Sequence, residues 1–305
     1  MKYFDLHCDT LTELKGKSLA DNVELHISLD RAPEKYIQCF AIFVSDRLRG
    51  DEAYEFYRAH KEIFDLQTQK TELIAVRDAE SLLLADKSGK GGILTVESGA
   101  ALGGRLSRIE KLALDGVRML TLTWNGGNEL GFGSGEGGGL TDFGKDALKE
   151  LERCRILADV SHLSDDGFSE LCEVSSSPFI ASHSNCSAVH PHRRNLKDWQ
   201  IKEIVNRGGL IGVNVYSEFI SGKHANVAEL AEHIFHLEKL GARDCICFGS
   251  DFDGMNSMPP GITGIESVGF LRKELAGAGI TEEALDKYFY ENAFNFFNKF
   301  WRLQK

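Results

Sequence analysis

The chain lacks any long apolar run. No segment of its 305 residues approaches the roughly 18 consecutive apolar residues that a membrane-spanning helix needs. The first residues also lack the basic, apolar and small-residue regions of a signal peptide, and they enter a strand-like run at once. We therefore expect a cytoplasmic protein without a cleavable leader and without a membrane partner.

Basic residues are also scarce. The 35 Lys and Arg residues are outnumbered by 46 Asp and Glu residues, which gives a net charge of -11. Binding to nucleic acid or to an anionic membrane surface needs a basic face, because the phosphate groups are negatively charged. The composition argues against both partners and does not by itself indicate any function.

No cysteine framework is present. The seven cysteines are scattered along the chain without the spacing of a disulfide scaffold, and we interpret them as mostly reduced thiols. Cys245 and Cys247 would share one face of a strand, a placement that also occurs in metal sites. We favour small buried hydrophobic residues at both positions, because they lie inside an apolar run.

Eight short apolar runs divide the chain at fairly regular intervals, as strands that are buried on both faces would. They cover residues 3–8, 36–44, 92–97, 117–124, 156–162, 178–184, 210–216 and 245–251. Helical patterns lie between most of them, at 52–69, 140–155, 196–209 and 228–241. We expect Thr141 or Asp142 to cap the second of these helices and Gly241 to end the fourth. Eight strand and helix units predict an α/β fold of the (β/α)₈ TIM-barrel type.

A doubly wound open sheet is the rival architecture. It would more often place a glycine-rich phosphate loop after the first strand, and LHCDT is not such a loop. We predict one domain over residues 1–305, with an aromatic-rich helical tail at 281–301 that packs against the base of the barrel. The glycine-rich stretch 126–144 has no GK[ST] sequence, so we interpret it as a flexible loop at the mouth of the active site.

The first run ends with two residues that can bind metal. His7 and Asp9 are two positions apart, and alternate residues of a strand point to the same face. Barrels of this type build their active sites at the C-terminal ends of the strands. Other runs end with residues of the same kind, namely Glu97, His162, His183 and Asp251. The placement of all six at one end of the barrel predicts a metal-dependent active site.

Three histidines and three carboxylates suit zinc or another borderline divalent cation, and they are enough for two ions per chain. Two ions can generate a hydroxide near neutral pH and stabilise the oxyanion that it forms. We assign five residues to the metals and keep Asp251 as the group that carries protons. No lysine ends a predicted strand, so Glu97 is the natural bridge between the ions.

The sequence resembles the membrane dipeptidase (renal dipeptidase) family of zinc hydrolases, within the amidohydrolase-like barrels. The matching motifs occur in family order from about residue 3 to 300: DLHCDT, ESG (97–99), LTLTWN, GLTDFG, ADVSH, SHSN (182–185), RRN and GSDFDG. The resemblance implies His7, Asp9 and Glu97 on one zinc, and Glu97, His162 and His183 on the other. It also implies Asp251 as the acid and base, and tolerance of a D-residue on the C-terminal side of the substrate.

The resemblance further implies that Arg194 binds the carboxylate of the substrate. A guanidinium group suits this role because it binds a carboxylate through two parallel hydrogen bonds. We interpret Arg193 as a surface charge and His190 and His192 as loop residues. His233 and His236 follow a helical pattern, so we expect them on the outer face or in packing.

Trp124 is a departure from the family, because the animal members carry at this position a histidine that helps to stabilise the oxyanion. Asn125, Asn128 or the metals would have to replace that donor, or the indole could narrow the substrate pocket. We therefore place Trp124 and Asn125 among the substrate-binding residues, together with Tyr216 at the end of the seventh run.

The sequence thus predicts a zinc-dependent dipeptidase that acts on small dipeptides, and a homodimer is kept as one hypothesis for its assembly. Hydrolysis of another amide or of an N-acyl amino acid is the alternative among enzymes. A catalytically silent metal-binding scaffold is the alternative outside enzymes. Asp251 and Arg194 argue against the scaffold, because binding metal needs neither residue.

Overall fold

A computed structural model of the chain describes residues 1–302. Its strands are β1 (Lys2–Cys8), β2 (Lys35–Phe43), β3 (Ile74–Ala75), β4 (Lys90–Glu97), β5 (Val117–Thr121), β6 (Leu157–Asp159), β7 (Ile211–Val213) and β8 (Ile246–Phe248). They are parallel and pair in the order β6-β5-β4-β2-β1-β8-β7, and β3 adds to the start of β4.

The sheet closes on itself through the sixth predicted run, which is not a regular strand. Residues 178–184 instead form single parallel bridges on both sides, Asp159 with Ile180 and Ala181 with Ile211. These bridges join β6 to β7, and β1 pairs with β8, so the ring is complete. The predicted (β/α)₈ barrel is confirmed, with this extended segment in the place of its sixth strand.

Two glycines explain why this segment can lie so close to its neighbours. A Cβ atom added at Gly212 or Gly249 would lie 1.8 or 1.7 Å from the backbone oxygen of Ser182. Any side chain at either position would therefore push the segment away from the barrel wall. The close approach is possible only because both residues lack a side chain.

Helices cover the outside of the barrel. They are α1 (Thr10–Glu13), α2 (Gly50–Lys70), α3 (Ala79–Ser88), α4 (Ser107–Asp115), α5 (Asp142–Arg153), α6 (Asp165–Val174), α7 (Asp198–Asn206), α8 (Ser217–Ile220), α9 (Val227–Lys239), α10 (Val268–Gly277), α11 (Glu282–Asp286) and α12 (Asn292–Arg302). Thr141 caps α5 by accepting a hydrogen bond from the backbone N–H of Gly144, and Gly241 follows α9 with φ +85°. No helix among residues 1–302 is long and apolar enough to cross a membrane.

The C-terminal segment packs under the barrel. Between α11 and α12, residues Lys287–Glu291 form a single π-helical turn. The ring centroid of Phe289 lies 5.7 Å from that of Tyr3 and 4.6 Å from that of Phe248. Phe297 stacks on Phe4 at 5.4 Å. These contacts fill the end of the barrel where the strands begin, which leaves the opposite end for the site.

Candidate metal centre and active site

The six candidate residues converge at the C-terminal end of the barrel. His7 is the penultimate residue of β1, and Glu97 is the last residue of β4. Asp9, His162 and Asp251 lie one to three residues beyond a strand, and His183 lies near the end of the bridging segment 178–184. All six are buried, with at most 8% of any of them exposed. Parallel strands all end on the same side of a barrel, so residues that are distant in sequence meet here.

Glu97 lies at the centre of this group. Its Oε1 atom is 2.9 Å from His162 Nε2 and 3.8 Å from His183 Nε2. Its Oε2 atom is 3.4 Å from His7 Nε2, which is in turn 3.9 Å from Asp9 Oδ2. Two sets of potential ligands result, and Glu97 belongs to both. They are His7, Asp9 and Glu97 in one set, and Glu97, His162 and His183 in the other.

The hydrogen bonds of His162 and His183 fix which ring nitrogen carries the proton. Nδ1 of His162 lies 3.1 Å from Oδ1 of Asn125, which can only accept a hydrogen bond. Nδ1 of His183 lies 2.7 Å from Ser182 Oγ, whose own proton is donated to Asp159 at 2.6 Å. Both histidines are therefore protonated on Nδ1 and have a lone pair on Nε2.

These two lone pairs face each other, because the Nε2 atoms of His162 and His183 are 3.0 Å apart. Two imidazole lone pairs at this distance repel each other, and both also face the Glu97 carboxylate. A cation between them removes the repulsion, and the other hydrogen bonds orient the rings as metal-binding histidines require. The residues present therefore fit a metal ion.

The ligand set that contains His7 and Asp9 has buried polar atoms without hydrogen-bond partners. Both ring nitrogens of His7 and the Oδ1 atom of Asp9 are buried and have no hydrogen-bond partner. Buried polar atoms normally have one, and each orphan costs about 1–3 kcal/mol. Metal coordination would satisfy atoms on both residues, so this set fits a second cation.

Burial shifts the pKa values of Glu97, His162 and His183 toward their neutral forms, whereas the pKa of His7 moves toward its charged form. Burial raises the pKa of Glu97 to about 8, and the Asp9 carboxylate adds to the shift. Burial lowers the pKa of His162 and of His183 well below the usual value, and Arg194 and His7 lower both further. Burial also lowers the pKa of His7, but Glu97 and Asp9 raise it more strongly, so the net change is upward. The carboxylates around His7 thus attract positive charge, which a divalent cation would supply.

Asp251 lies beside the ligand sets. Its Oδ1 atom is 3.8 Å from His7 Nε2, and its Oδ2 atom accepts a hydrogen bond from Asn214 Nδ2 at 3.0 Å. Burial raises the pKa of Asp251 to about 6, while His7 and Asn214 lower it in part. A carboxyl group with such a pKa can accept and return a proton near neutral pH. His7, His183 and Asp251 form a third potential set, so geometry alone does not exclude Asp251 as a ligand.

Arg194 is buried close to the centre, with only 5% of the residue exposed. Its guanidinium lies 5.4 Å from the ring centroid of Phe219, and one of its NH groups donates to the backbone oxygen of His183 at 3.4 Å. The Nε atom has no hydrogen-bond partner, and no carboxylate of residues 1–302 forms an ion pair with this side chain. Burial lowers the pKa of Arg194 to about 10. A buried cation of this kind is suited to an anionic ligand.

A cavity of about 430 Å³ opens above these groups. Trp124, Asn125 and Tyr216, which the sequence places in the substrate site, all line it. The ring of Trp124 is 5.0 Å from that of Phe43 and 6.0 Å from that of His162. Asn125 lies against the His162 ring, as described above. The Tyr216 hydroxyl donates to Asn256 at 3.3 Å, and the Tyr216 ring is 4.8 Å from that of Phe219.

The remaining histidines and Arg193 lie outside the ligand sets. His192 and Arg193 line the cavity, and His192 Nδ1 accepts the backbone N–H of Arg194. His233 is fully buried in α9, where its Nε2 donates to the backbone oxygen of Ile220. His236 contacts Asp198 on α7 at 2.8 Å.

The glycine-rich stretch forms the loop after β5. Its backbone is bonded to the metal site, because the N–H of Ser134 donates to the carbonyl of His162 at 2.7 Å. Gly133 must be a glycine, since a Cβ atom there would lie 1.9 Å from the carbonyl oxygen of Trp124. The loop thus lies directly against two residues that line the cavity.

Sequence reasoning missed the residues that support the candidate ligands. Asp159 and Ser182 orient His183, Asn214 holds Asp251, and Phe43 packs on Trp124. Asp159 stands three residues before His162, in ADVSH, and Ser182 directly precedes His183, in SHSN, so proximity to the motifs could have suggested them. Nothing in the sequence distinguishes Phe43 or Asn214 from other strand-end residues.

Comparison with known proteins gives matches over the whole fold. The solved structure of a dipeptidase AC, a metallopeptidase of family M19, is 26% identical, with a TM-score of 0.92 and 99% of each chain covered. A metallopeptidase from Rhodobacter sphaeroides, liganded with a phosphinate mimic of L-Ala-D-Ala, is 24% identical, with a TM-score of 0.91 and the same coverage. The probable dipeptidase PvdM from Pseudomonas aeruginosa is 17% identical, with a TM-score of 0.89 and 99% and 96% of the two chains covered.

The family model of the membrane dipeptidases, peptidase family M19, matches residues 1–304. This match spans nearly the whole chain, including every strand of the barrel and all six candidate residues of the centre. The chain therefore belongs to the membrane dipeptidase family of metallopeptidases.

Proposed function

We propose that this protein is a dipeptidase with two divalent metal ions, most simply zinc, that hydrolyses the peptide bond of dipeptides. The observation that carries the proposal is the position of Glu97. Its two oxygens face different histidines, so one carboxylate belongs to two ligand sets. A carboxylate shared in this way can bridge a pair of ions.

The five candidate ligands would hold the two ions as the two sets described above. When bound, the ions would lower the pKa of a water molecule and polarise the scissile carbonyl group. Asp251 faces the same centre with its Oδ1 atom. It would take the proton of the attacking water and return it to the amine that leaves.

Arg194 would orient the substrate by binding its C-terminal carboxylate. The guanidinium is buried and lacks a carboxylate partner, so a substrate anion would supply the missing charge. Its guanidinium also lies against the ring of Phe219, which favours this position of the side chain. A cavity of about 430 Å³ matches a small ligand and leaves little room for a longer peptide.

The paired rings of Phe43 and Trp124 would limit the size of the substrate side chain beside them. They stand at the ends of β2 and β5, on either side of Glu97, whereas Tyr216, Phe219 and Arg194 lie across the cavity near β7. A substrate held by Arg194 with its scissile carbonyl at the metals would extend its N-terminal residue toward the Phe43–Trp124 pair.

A D-residue on the C-terminal side is part of the proposal. It is supported by the Rhodobacter sphaeroides metallopeptidase, whose ligand mimics L-Ala-D-Ala. The two chains share the fold, and that ligand shows that such a barrel can hold this stereochemistry in one member.

The proposal is tested with purified enzyme in excess zinc and a panel of dipeptides with L,L and L,D stereochemistry. N-acetyl amino acids serve as the matched amide controls, and the N-terminal residue is varied from Gly to Phe. We expect cleavage of both dipeptide stereoisomers, with Gly favoured over Phe at the N-terminal position. Turnover of the N-acetyl amino acids without turnover of any dipeptide would overturn the proposal in favour of the broader amide hydrolase.

A further inference from the structure

Asn214 is a buried residue just beyond β7, and it is not one of the candidate metal ligands. None of its surface is exposed to solvent. Its side-chain Nδ2 donates a hydrogen bond to the Oδ2 atom of Asp251 over 3.0 Å. It is the side chain through which Asp251 is tied to the neighbouring barrel strand.

The orientation of this amide is fixed by its other hydrogen bonds. The Oδ1 atom of Asn214 accepts the backbone N–H of Tyr216 at 2.7 Å, so the NH₂ group must face Asp251. The backbone of Asn214 is held in turn by Asn185. Its N–H donates to Asn185 Oδ1 at 2.9 Å, and its carbonyl accepts from Asn185 Nδ2 at 3.0 Å. The donor therefore cannot turn away without breaking several buried hydrogen bonds.

This contact determines which oxygen of Asp251 is free. Oδ2 is occupied by Asn214, whereas Oδ1 points toward the centre and lies 3.8 Å from His7 Nε2. Gly254 leaves the space that Oδ1 needs, because a Cβ atom at Gly254 would lie 2.7 Å from it. Asp251 itself has φ +64°, a conformation that a non-glycine residue rarely adopts. Asn214 thus holds the side chain of Asp251 on one side, and Gly254 leaves room for Oδ1 on the other.

We propose that Asn214 is the positioning residue of this active site, which holds Oδ2 of Asp251 so that Oδ1 alone faces the reacting water. The inference rests on the proposed function, because only hydrolysis gives Asp251 a proton to move. It assigns a task to a residue outside both ligand sets and outside the cavity lining.

The test compares two changes of Asn to Asp. Asn214→Asp replaces the donor by an acceptor that repels Asp251, and we expect kcat to fall by about 100-fold, within the range that a positioned proton carrier supplies. KM should stay within about twofold and both metals should remain bound, because neither Arg194 nor a ligand is touched. Asn292→Asp is the matched control. Asn292 is also a buried amide, but its Nδ2 donates to carbonyls of Arg243 and Ile246 at the far end of the barrel.

Asn214→Asp and Asn292→Asp each bury a new carboxylate, so both should have a lower melting temperature than the wild type. If loss of stability were the only effect, the two variants would not differ in kcat. If Asn214→Asp does not fold, Asn214→Ser shortens the side chain so that its donor no longer reaches Asp251, and it adds no charge. We expect a kcat loss of about 10-fold or more. A crystal structure of Asn214→Ser adds a readout that does not depend on activity, and we expect the Asp251 carboxylate to rotate.

An unmoved Asp251, a kcat close to that of the wild type, or an equal loss of kcat in Asn292→Asp would overturn the inference. Failure of the wild type to cleave dipeptides would refute the proposed function instead, and the position of Asp251 would still decide the role of Asn214.

Discussion

At the scale of single residues, backbone strain collects around the candidate centre. Of the six non-glycine residues with positive φ among residues 1–302, four lie at or beside it: Ser98 (+89°), His162 (+75°), Asp251 (+64°) and Asp253 (+68°). Such conformations cost of order 1–3 kcal/mol each and persist only where the surroundings impose them. Glycine would adopt them freely, so the side chains of His162 and Asp251 must be needed at these positions.

Arg194 gives the sharpest prediction at this scale. Removing one partner of a desolvated charged pair costs about 2–5 kcal/mol, so Arg194→Ala should lower kcat/KM for dipeptides by roughly 30-fold or more. The measurement compares each dipeptide with its C-terminal amide. The wild type should strongly prefer the acid, whereas Arg194→Ala should cleave both poorly and about equally. Arg194→Lys should recover only part of the loss, because an ammonium group cannot form the planar pair of hydrogen bonds.

Arg193→Ala is the control for this experiment. Arg193 also lines the cavity and carries the same charge, but it is exposed, so its interactions are screened by water. We expect a much smaller effect than that of Arg194→Ala. Equal cleavage of acid and amide by the wild type would mean that Arg194 does not bind the carboxylate.

At the scale of elements, the sequence predicted the long strands well and the short ones poorly. The runs 3–8, 36–44 and 92–97 match β1, β2 and β4 closely, because all their residues face either the core or the helices. The run 156–162 forms a strand only over Leu157–Asp159. Apolar residues continue beyond the strand because the turn that carries His162 is buried too, and hydrophobicity cannot distinguish a buried turn from a strand.

The sixth run shows a second limit of sequence reasoning. Its apolar residues were correctly placed in the barrel wall, but the segment makes only isolated bridges. Its geometry depends on Gly212 in β7 and Gly249 just beyond β8, which meet Ser182 only in the folded chain. A contact between elements so distant in sequence leaves no local pattern to read.

Helix α9 provides a prediction about pH and stability. His233 joins three parts of the chain, since its Nε2 donates to Ile220 at 2.8 Å and its Nδ1 accepts the N–H of Cys186 at 3.1 Å. Burial lowers the pKa of His233 to about 4, below the usual value of about 6.5. The unfolded chain therefore binds this proton first as the pH falls. The contribution of neutral His233 to the free energy of unfolding is complete above about pH 6.5. It falls by about 3 kcal/mol as the pH falls toward 4.

The measurement is the free energy of unfolding of the metal-loaded protein at pH 6.5 and at pH 4.5, by denaturant titration. The His233→Gln variant should lose less stability than the wild type over this interval, since it has no group that must stay neutral. His236→Gln, on the same helix but partly exposed, should keep the dependence of the wild type. Equal losses in wild type and His233→Gln would contradict the assignment.

At the scale of the whole molecule, the barrel explains how so much of the site could be predicted. Parallel strands bring their last residues to one rim, so His7, Glu97, His162, His183 and Asp251 could be placed together from their positions in the sequence alone. Supporting contacts such as Asn214 with Asp251 depend on side-chain rotation between neighbouring strands. That rotation is decided by packing and hydrogen bonds in three dimensions, which periodicity does not encode.

The central claim is that Glu97 bridges two metal ions while Asp251 carries the proton, and metal analysis of two isosteric variants tests it most directly. We predict about two divalent ions per chain in the wild type, measured by elemental analysis after gel filtration, and two in Asp251→Asn with kcat lowered by roughly 100-fold or more. Glu97→Gln should lose metal from both sites, because its carboxylate belongs to both ligand sets. Metal retained by Glu97→Gln but lost from Asp251→Asn would contradict the account, as would an active wild type that holds no transition metal.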